Sequence, residues 1–443
     1  MGSNVIDGRA DETKSGPPAP QSKPPRPAAR KRRPASPASA PGPSAPPAVA
    51  VPPRGRLAAG DLSAQSARLT AALAVALSEQ DLPAFYRVFR GTELPLLGLT
   101  YGTHGRDWRG IYAACFEVLR NLGSVSPAVG LAVYNHYAVT CSLATFPLAD
   151  RPTLAARRDA LVKAIVDGRW LVANTTTRVH VGKVTSYGAT ARRDGSNYRL
   201  SGSAAYLSLA TASEIVIAFV QIEGEGFAVF VSRLRDNPQI EVGPYLFPNS
   251  MIDSDTRRVT FRDTLVSEEN MLMIDRNIAM WQTAWHQALF AVPFLGGAAR
   301  ALDELRKFLR SVRAPNDKPL AELDGMIADA GRMAIRYRGA CAIAHQAGQA
   351  LEALIGRPAK TESYVEAFNL ACAAKQIGTR CAEDLVTEVR RIIGARAFTG
   401  GQPMERISQE TMFAPLGGEP NAYIEREYGR LVLGEERFLS HPW

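Results

Sequence analysis

The sequence predicts an α+β chain that is mostly helical: an N-terminal helical domain, a middle β domain and a C-terminal four-helix bundle. Three observations carry this. Apolar residues recur at three- and four-residue spacing from Leu57 to about Gly168. Runs rich in β-branched and aromatic residues, broken by turn-formers, fill 169–275. The helical period then returns from about Asn277 almost to the end. The expected division is therefore a tail over 1–56, helices over 57–168, strands over 169–275 and helices over 276–443.

The tail is set apart by composition. Between Pro17 and Pro53 lie 14 of the 30 prolines, interleaved with Ala and Ser, together with Arg30-Lys31-Arg32-Arg33. Such a segment cannot bury enough apolar area to offset its ordering entropy, so it is expected to be disordered. It reads as a solubilising tail or as a docking arm for an acidic partner. It also accounts for the basicity: of the net charge of +9, residues 1–56 carry +7, from ten Lys/Arg against three Asp/Glu. The remainder is nearly neutral, so a nucleic-acid-binding face is not expected.

The chain is 46% hydrophobic over 443 residues, enough for more than one core. No run of about 18 apolar residues predicts a transmembrane helix. The N-terminus lacks the layout of a secretory signal, and Gly2 lacks a Ser or Thr at the myristoylation spacing. Five cysteines, Cys115, Cys141, Cys341, Cys372 and Cys381, form no CxxC pair. Reduced thiols, a cytoplasmic location and no metal site are expected.

Within the first helical region, Ala58–Leu77 and Ile111–Leu122 show the period best, punctuated by Gly102 to Asp107 and Ser124 to Pro127. Strand texture is clearest at Tyr198-Arg199-Leu200, Glu214–Val220, Gly226–Val231 and Arg257–Phe261. Turns are expected at Asp194-Gly195-Ser196 and at Glu223-Gly224-Glu225-Gly226. The last region holds three long helical segments, Trp281–Val312, Leu320–Ile355 and Tyr364–Ile393, separated by Pro315 with Pro319 and by Gly356 with Pro358. No internal repeat is visible.

Four local motifs in this order resemble the acyl-CoA dehydrogenase superfamily. Arg193 to Gly202 is similar to its turn-then-strand ending in Leu-Asn-Gly, and six residues on, Ser208 falls at the Thr or Ser of its Trp-Ile-Thr element, with Tyr206 at the Trp. Ser254-Asp255-Thr256, Val259-Thr260-Phe261 and Val266 to Leu272 resemble the closing strand of its β domain. Pro403-Met404-Glu405-Arg406 matches its Pro-x-Glu-Arg. The resemblance covers roughly residues 60–435.

It implies bound FAD. Tyr206 would wall the flavin and the Ser208 hydroxyl would donate to N5; Asn174, Thr175, Thr176 and Thr177 occupy the place of the loop that reaches the pyrimidine. A run of three Thr is equally a strand edge. Arg313 and the Arg391-to-Arg396 segment, with Gly394, stand where the family holds the adenosine diphosphate half beside a neighbouring subunit, so a homodimer or homotetramer is implied. In that segment Gln has become Arg391 and the second Gly has become Ala395.

The resemblance departs at the catalytic base. The family's loop glutamate falls on Gly418, with Glu419 one residue out of register, while the helix position that some members use is His286. A packed helix histidine is the plain reading of His286, which lies beside Trp285. Val181-Gly182-Lys183 and Ala204 replace two further family features. The first expectation is α,β-desaturation of an acyl thioester on CoA or a carrier protein, with an electron-acceptor flavoprotein or oxygen as oxidant. The second is a two-component monooxygenase, in which His104 or His136 and a serine would manage a flavin–oxygen adduct. The third is a non-catalytic member.

Overall fold

The computed structural model describes residues 59–434 apart from 103–106, 149, 176–177, 182–183, 358 and 400; the basic tail lies outside the described residues. The first helical region contains α1 (Ala59–Ser78), α2 (Leu82–Gly91), α3 (Leu97–Thr100), α4 (Ile111–Gly123), α5 (Pro127–Ala144) and α6 (Pro152–Gly168). Capping accounts for several of these starts. The Asp81 carboxylate accepts from Ala84 N at 3.0 Å, and Pro83 follows in the first turn. Ser126 Oγ accepts from Val129 N at 3.2 Å ahead of Pro127. Every residue of α5 from Pro127 to Leu143 is buried, which explains its lack of a polar face: it runs among α4, α7, α8 and the first strand.

The strands are β1 (Val172–Thr175), β2 (Arg178–Val181), β3 (Val184–Tyr187), β4 (Ala189–Asp194), β5 (Asn197–Leu207), β6 (Ile215–Ile222), β7 (Gly226–Arg233), β8 (Ile240–Tyr245), β9 (Arg257–Ser267) and β10 (Met271–Ile274). The main sheet runs β10-β7-β6-β4-β5-β9-β8, with β1 pairing β6 in parallel at its other end from β4. A second core of Tyr198, Leu200, Val216, Ala218, Phe230 and Phe261, among others, fills one side of it. Gly195, at φ +64°, makes the tight β4–β5 turn that its sequence announces. The β5–β9 register shifts between Ala204 and Leu207, a bulge that re-aims the end of β5.

The C-terminal helices are α7 (Arg276–Phe290), α8 (Val292–Ser311), α9 (Asp324–Leu354), α10 (Thr361–Ile393), α11 (Pro403–Thr411) and α12 (Asn421–Val432). Sequence reading treats 281–312 as one helix; the structure breaks it at Ala291, because Pro293 lies in the first turn of α8 and cannot continue the hydrogen-bond ladder of α7. At the crossing of α4 and α8 the backbones touch: a Cβ on Gly296 would lie 2.2 Å from Arg120 O. With this arrangement the chain has the fold class its sequence predicts. Among the described residues no helix is long and apolar enough to cross a membrane, and no group of three or more His, Cys, Asp or Glu could hold a metal.

Candidate active site

The end of β1 meets the middle of α7. Asn174, 3% exposed, places its amide Nδ2 3.0 Å from His286 Nε2. On the other side of the ring, Nδ1 lies 2.9 Å from Gln282 O and 2.8 Å from the Gln282 side-chain amide. Both ring nitrogens are therefore engaged, and in either tautomer the single lone pair of the neutral imidazole faces an amide. An edge of the ring remains accessible, yet burial of the rest drives its pKa down to about 4. The base candidate read from the sequence is thus a neutral, hydrogen-bonded ring.

Beside this pair lies the turn that carries Ser208. Tyr206 and Leu209 both hold left-handed backbone, at φ +62° and +61°, a conformation costly for residues with side chains. The turn is tied down on both flanks. Leu209 N donates to Ser254 O at 3.0 Å and Ala210 N to Asp255 O at 3.2 Å, while the Asn135 amide of α5 donates to Ser208 O at 3.3 Å. Asp255 accepts from the Thr211 hydroxyl at 2.6 Å and from Arg257 Nε at 2.6 Å. Arg406 of the Pro-x-Glu-Arg motif pairs with Asp253 next door. Ser208 Oγ lies 2.8 Å from Thr256 Oγ1, which lies 2.7 Å from Ser254 Oγ. Ser254 Oγ donates to Met251 O at 2.6 Å. The Ser208 hydroxyl thus has a protein partner, Thr256, at the inner end of its turn.

Aromatic rings pack next to these groups. Tyr134 of α5 meets His286 edge-on at 5.9 Å and Phe290 at 5.3 Å. Tyr206, 60% exposed, stacks on Phe247 at 6.0 Å, and Phe247 meets Phe413 at 4.9 Å. Phe290 also occupies the place where the family's loop base would project: a Cβ on Gly418 would lie 3.3 Å from its ring, and one on Gly417 2.6 Å from it. Behind Phe290 sits Lys375, fully buried, donating to Glu419 O at 2.7 Å and to Asn421 Oδ1 at 2.8 Å. Burial lowers its pKa to about 7. Glu419 therefore anchors the segment through its carbonyl.

Other candidates fall elsewhere. Arg313 is exposed and donates to Asp317 O at 2.6 Å. Arg391 in the last turn of α10, and Gly394 and Arg396 just beyond it, are exposed, with the Arg396 guanidinium 5.8 Å from Phe308 of α8. They share that end of the bundle with Arg313, and no hydrogen bond or ion pair among the described residues links them to the Asn174 group. Thr176, Thr177, His104, Gly182 and Lys183 lie outside the described residues. His136 bridges two backbone segments, for its Nε2–H donates to Pro95 O at 2.7 Å and its Nδ1 accepts from Val172 N at 3.1 Å. That removes it as a partner for an oxygen adduct. A cleft of about 580 Å³ beside α4 and α9 contains none of these residues; there Glu352 accepts from the N–H groups of Gly110 and Tyr112.

Sequence reading missed Tyr134, Phe290, Lys375 and the Thr256–Ser254 relay. Lys375 had a signal, a charged residue at helical spacing within the apolar stripe of Phe368, Ala371, Cys372 and Ala382. The others had none short of a three-dimensional arrangement.

The residues present fit a flavin. Thr175 Oγ1 is buried without a hydrogen-bond partner, the Tyr206 ring offers an open face, and Ser208 offers oxygen lone pairs. Residues 288–410 match the family model described as acyl-CoA dehydrogenase, C-terminal domain. No curated protein matches the chain in sequence. Solved structures share the fold. Dibenzothiophene monooxygenase from Paenibacillus sp. A11-2 is 20% identical over 86% of this chain and 98% of that one, with a TM-score of 0.69; that protein is also solved with FMN and indole. Methanesulfinate monooxygenase from Pseudomonas fluorescens is 18% identical over 86% and 98%, with a TM-score of 0.71. Butyryl-CoA dehydrogenase from Megasphaera elsdenii is 19% identical over 84% and 97%, with a TM-score of 0.69.

Proposed function

We propose that this chain, whose residues 288–410 match the acyl-CoA dehydrogenase C-terminal domain model and whose fold is shared with butyryl-CoA dehydrogenase, is a flavin-dependent monooxygenase, fed reduced flavin by a separate reductase and acting on a small aromatic substrate. The observation that carries this reading is the state of His286. Desaturation requires a base within reach of the acyl α-proton, and here the imidazole lone pair is already held by an amide of Asn174 or Gln282. The loop position is Gly418, closed by Phe290, and Glu419 is bound into the wall through its carbonyl. Two of the solved structures of this fold are monooxygenases.

When bound, reduced flavin supplies two electrons to dioxygen, of which one oxygen atom enters the substrate and the other leaves as water. The chain's own contribution is to hold and to exclude. Asn174 and Ser208 offer fixed polar groups, and the rings of Tyr134, Phe290, Phe247 and Phe413 keep bulk water from them. FAD would additionally use Arg313, Arg391 and Arg396 at the bundle end; FMN would not.

Anaerobic titration of the full chain, followed by admission of oxygen, decides between the readings. Colourless protein that binds reduced FMN or FAD and then consumes oxygen is the expected result. Tightly held oxidised flavin that bleaches on addition of an acyl thioester would establish the desaturase reading instead. Absence of any flavin affinity would leave the fold as a non-catalytic scaffold.

A further inference from the structure

We propose that residues 435–443, which follow α12, dock in a cleft of their own chain, between the α5–α6 connection, the start of α7 and the turn joining α9 to α10. That cleft has a volume of about 500 Å³. Its walls are largely apolar, with Trp108, Phe146, Leu148, Trp281, Leu354 and Tyr364 among them. Arg357, which is exposed, also lines it and makes no ion pair among the described residues. An apolar hollow with a free guanidinium is a poor surface to leave to water.

The course of α12 brings the chain to this place. At its start, Asn421 Oδ1 accepts from Thr379 Oγ1 at 3.1 Å. One turn on, Glu425 accepts from Gln376 Nε2 at 2.7 Å. Tyr428 then donates to Asn369 O. The partners on α10 fall back as α12 advances, so the two helices run antiparallel. Continued to its end, α12 sets Leu431, Val432 and Leu433 level with the first turns of α10, where Tyr364 stands. Val432 and Leu433 are 83% and 81% exposed. Gly434 follows at φ +80°, its N–H bonded to Leu431 O, which stops the helix and turns the chain aside.

The residues after Gly434 carry the chemistry that the cleft needs. Phe438, Leu439 and Trp443 are its apolar complement, and an aromatic side chain removes roughly 150–250 Å² from water when buried. Glu435 and Glu436 bring carboxylates for Arg357. Reach is sufficient. Residues 435–443 span up to about 30 Å when extended, and α10, which they must skirt, is about 10–12 Å across. A segment tethered this close is present at high effective concentration, so it outcompetes a free peptide of the same sequence.

Hydrogen exchange of the full chain, and of the chain ended after Gly434, tests the assignment. Without the segment, amides of 144–152 and 354–364 should exchange at least about tenfold faster, while those of β6 and β7 stay unchanged. The dye anilinonaphthalene sulfonate, which reports exposed apolar surface, should brighten with the shortened chain and not with the full one. Phe438→Ser combined with Trp443→Ser in the full chain should reproduce both effects, and serves if the shortened chain fails to fold. Equal exchange and equal dye binding overturn the proposal. Ala155→Cys with Ser440→Cys, joined by a bismaleimide and run on a denaturing gel against each single variant, reports whose segment is bound. A link within one chain is the expected result. A link between two chains overturns the assignment and gives the cleft to a second copy.

Discussion

Replacing His286 separates a positioning histidine from a catalytic one. In the structure the ring is the partner of Asn174, whose amide is 3% exposed and lies 3.0 Å from Nε2. His286→Leu would orphan that amide, and a buried unsatisfied polar group costs roughly 1–3 kcal/mol. For a body this large that corresponds to a melting temperature lower by roughly 1–4 °C. His286→Gln can restore an amide partner for Asn174 and should melt close to the unaltered protein. On the rate side the contrast is sharper. A general base is worth roughly 10²–10⁴-fold, whereas a ring that only positions Asn174 should lose on the order of threefold on conversion to Gln. The assay is stopped-flow oxidation of bound reduced FMN by oxygen, with melting curves for both variants, between pH 6 and 9. With a pKa of about 4, His286 stays neutral throughout that range, so the two pH profiles should superimpose. A hundredfold loss in His286→Gln, or an ionisation near pH 6.5 that the variant lacks, would refute the reasoning.

His136 predicts acid sensitivity. Burial lowers its pKa to about 4 from 6.5, so the unfolded chain binds more protons between those values; stability is full above pH 6.5 and falls as pH drops towards 4, by up to about 3 kcal/mol. Urea unfolding at pH 7 and pH 5 should show a smaller pH dependence in His136→Gln, and equal dependence in both proteins would count against this. At the α4–α8 crossing, Gly296→Ala places a Cβ 2.2 Å from Arg120 O and should destabilise by roughly 1–3 kcal/mol. Gly339→Ala, in α9 with nothing within 4 Å, should be neutral or stabilising by up to about 1 kcal/mol; similar melting of the two variants would refute the close-contact argument.

The order of helices, strands and helices was legible because period is a local property. The continuous run of β-branched and aromatic residues in β6 and the three- and four-residue spacing in α4 and α10 need no knowledge of partners. The break at Ala291 was legible too, since Pro293 stands in plain view, but the apolar period runs straight through it and hid it. The site was readable only in part. Asn174, Tyr206, Ser208 and His286 could be singled out one by one, yet the bond between Asn174 and His286 spans 112 positions and has no local trace. The same holds for the partner of the Ser208 hydroxyl, Thr256, more than forty residues away.

The burial of α5 on all sides has a consequence for how the chain is made. Its partners α7 and α8 begin only at Arg276 and Val292, so on a ribosome adding roughly 5–20 residues per second the helix emerges well before the surfaces that will cover it. For some ten seconds or more, an apolar segment of 18 residues waits without its final neighbours. The nascent chain is therefore expected to need shielding during that interval, and slowing translation across 145–275 should lower the soluble yield unless chaperone supply is raised with it.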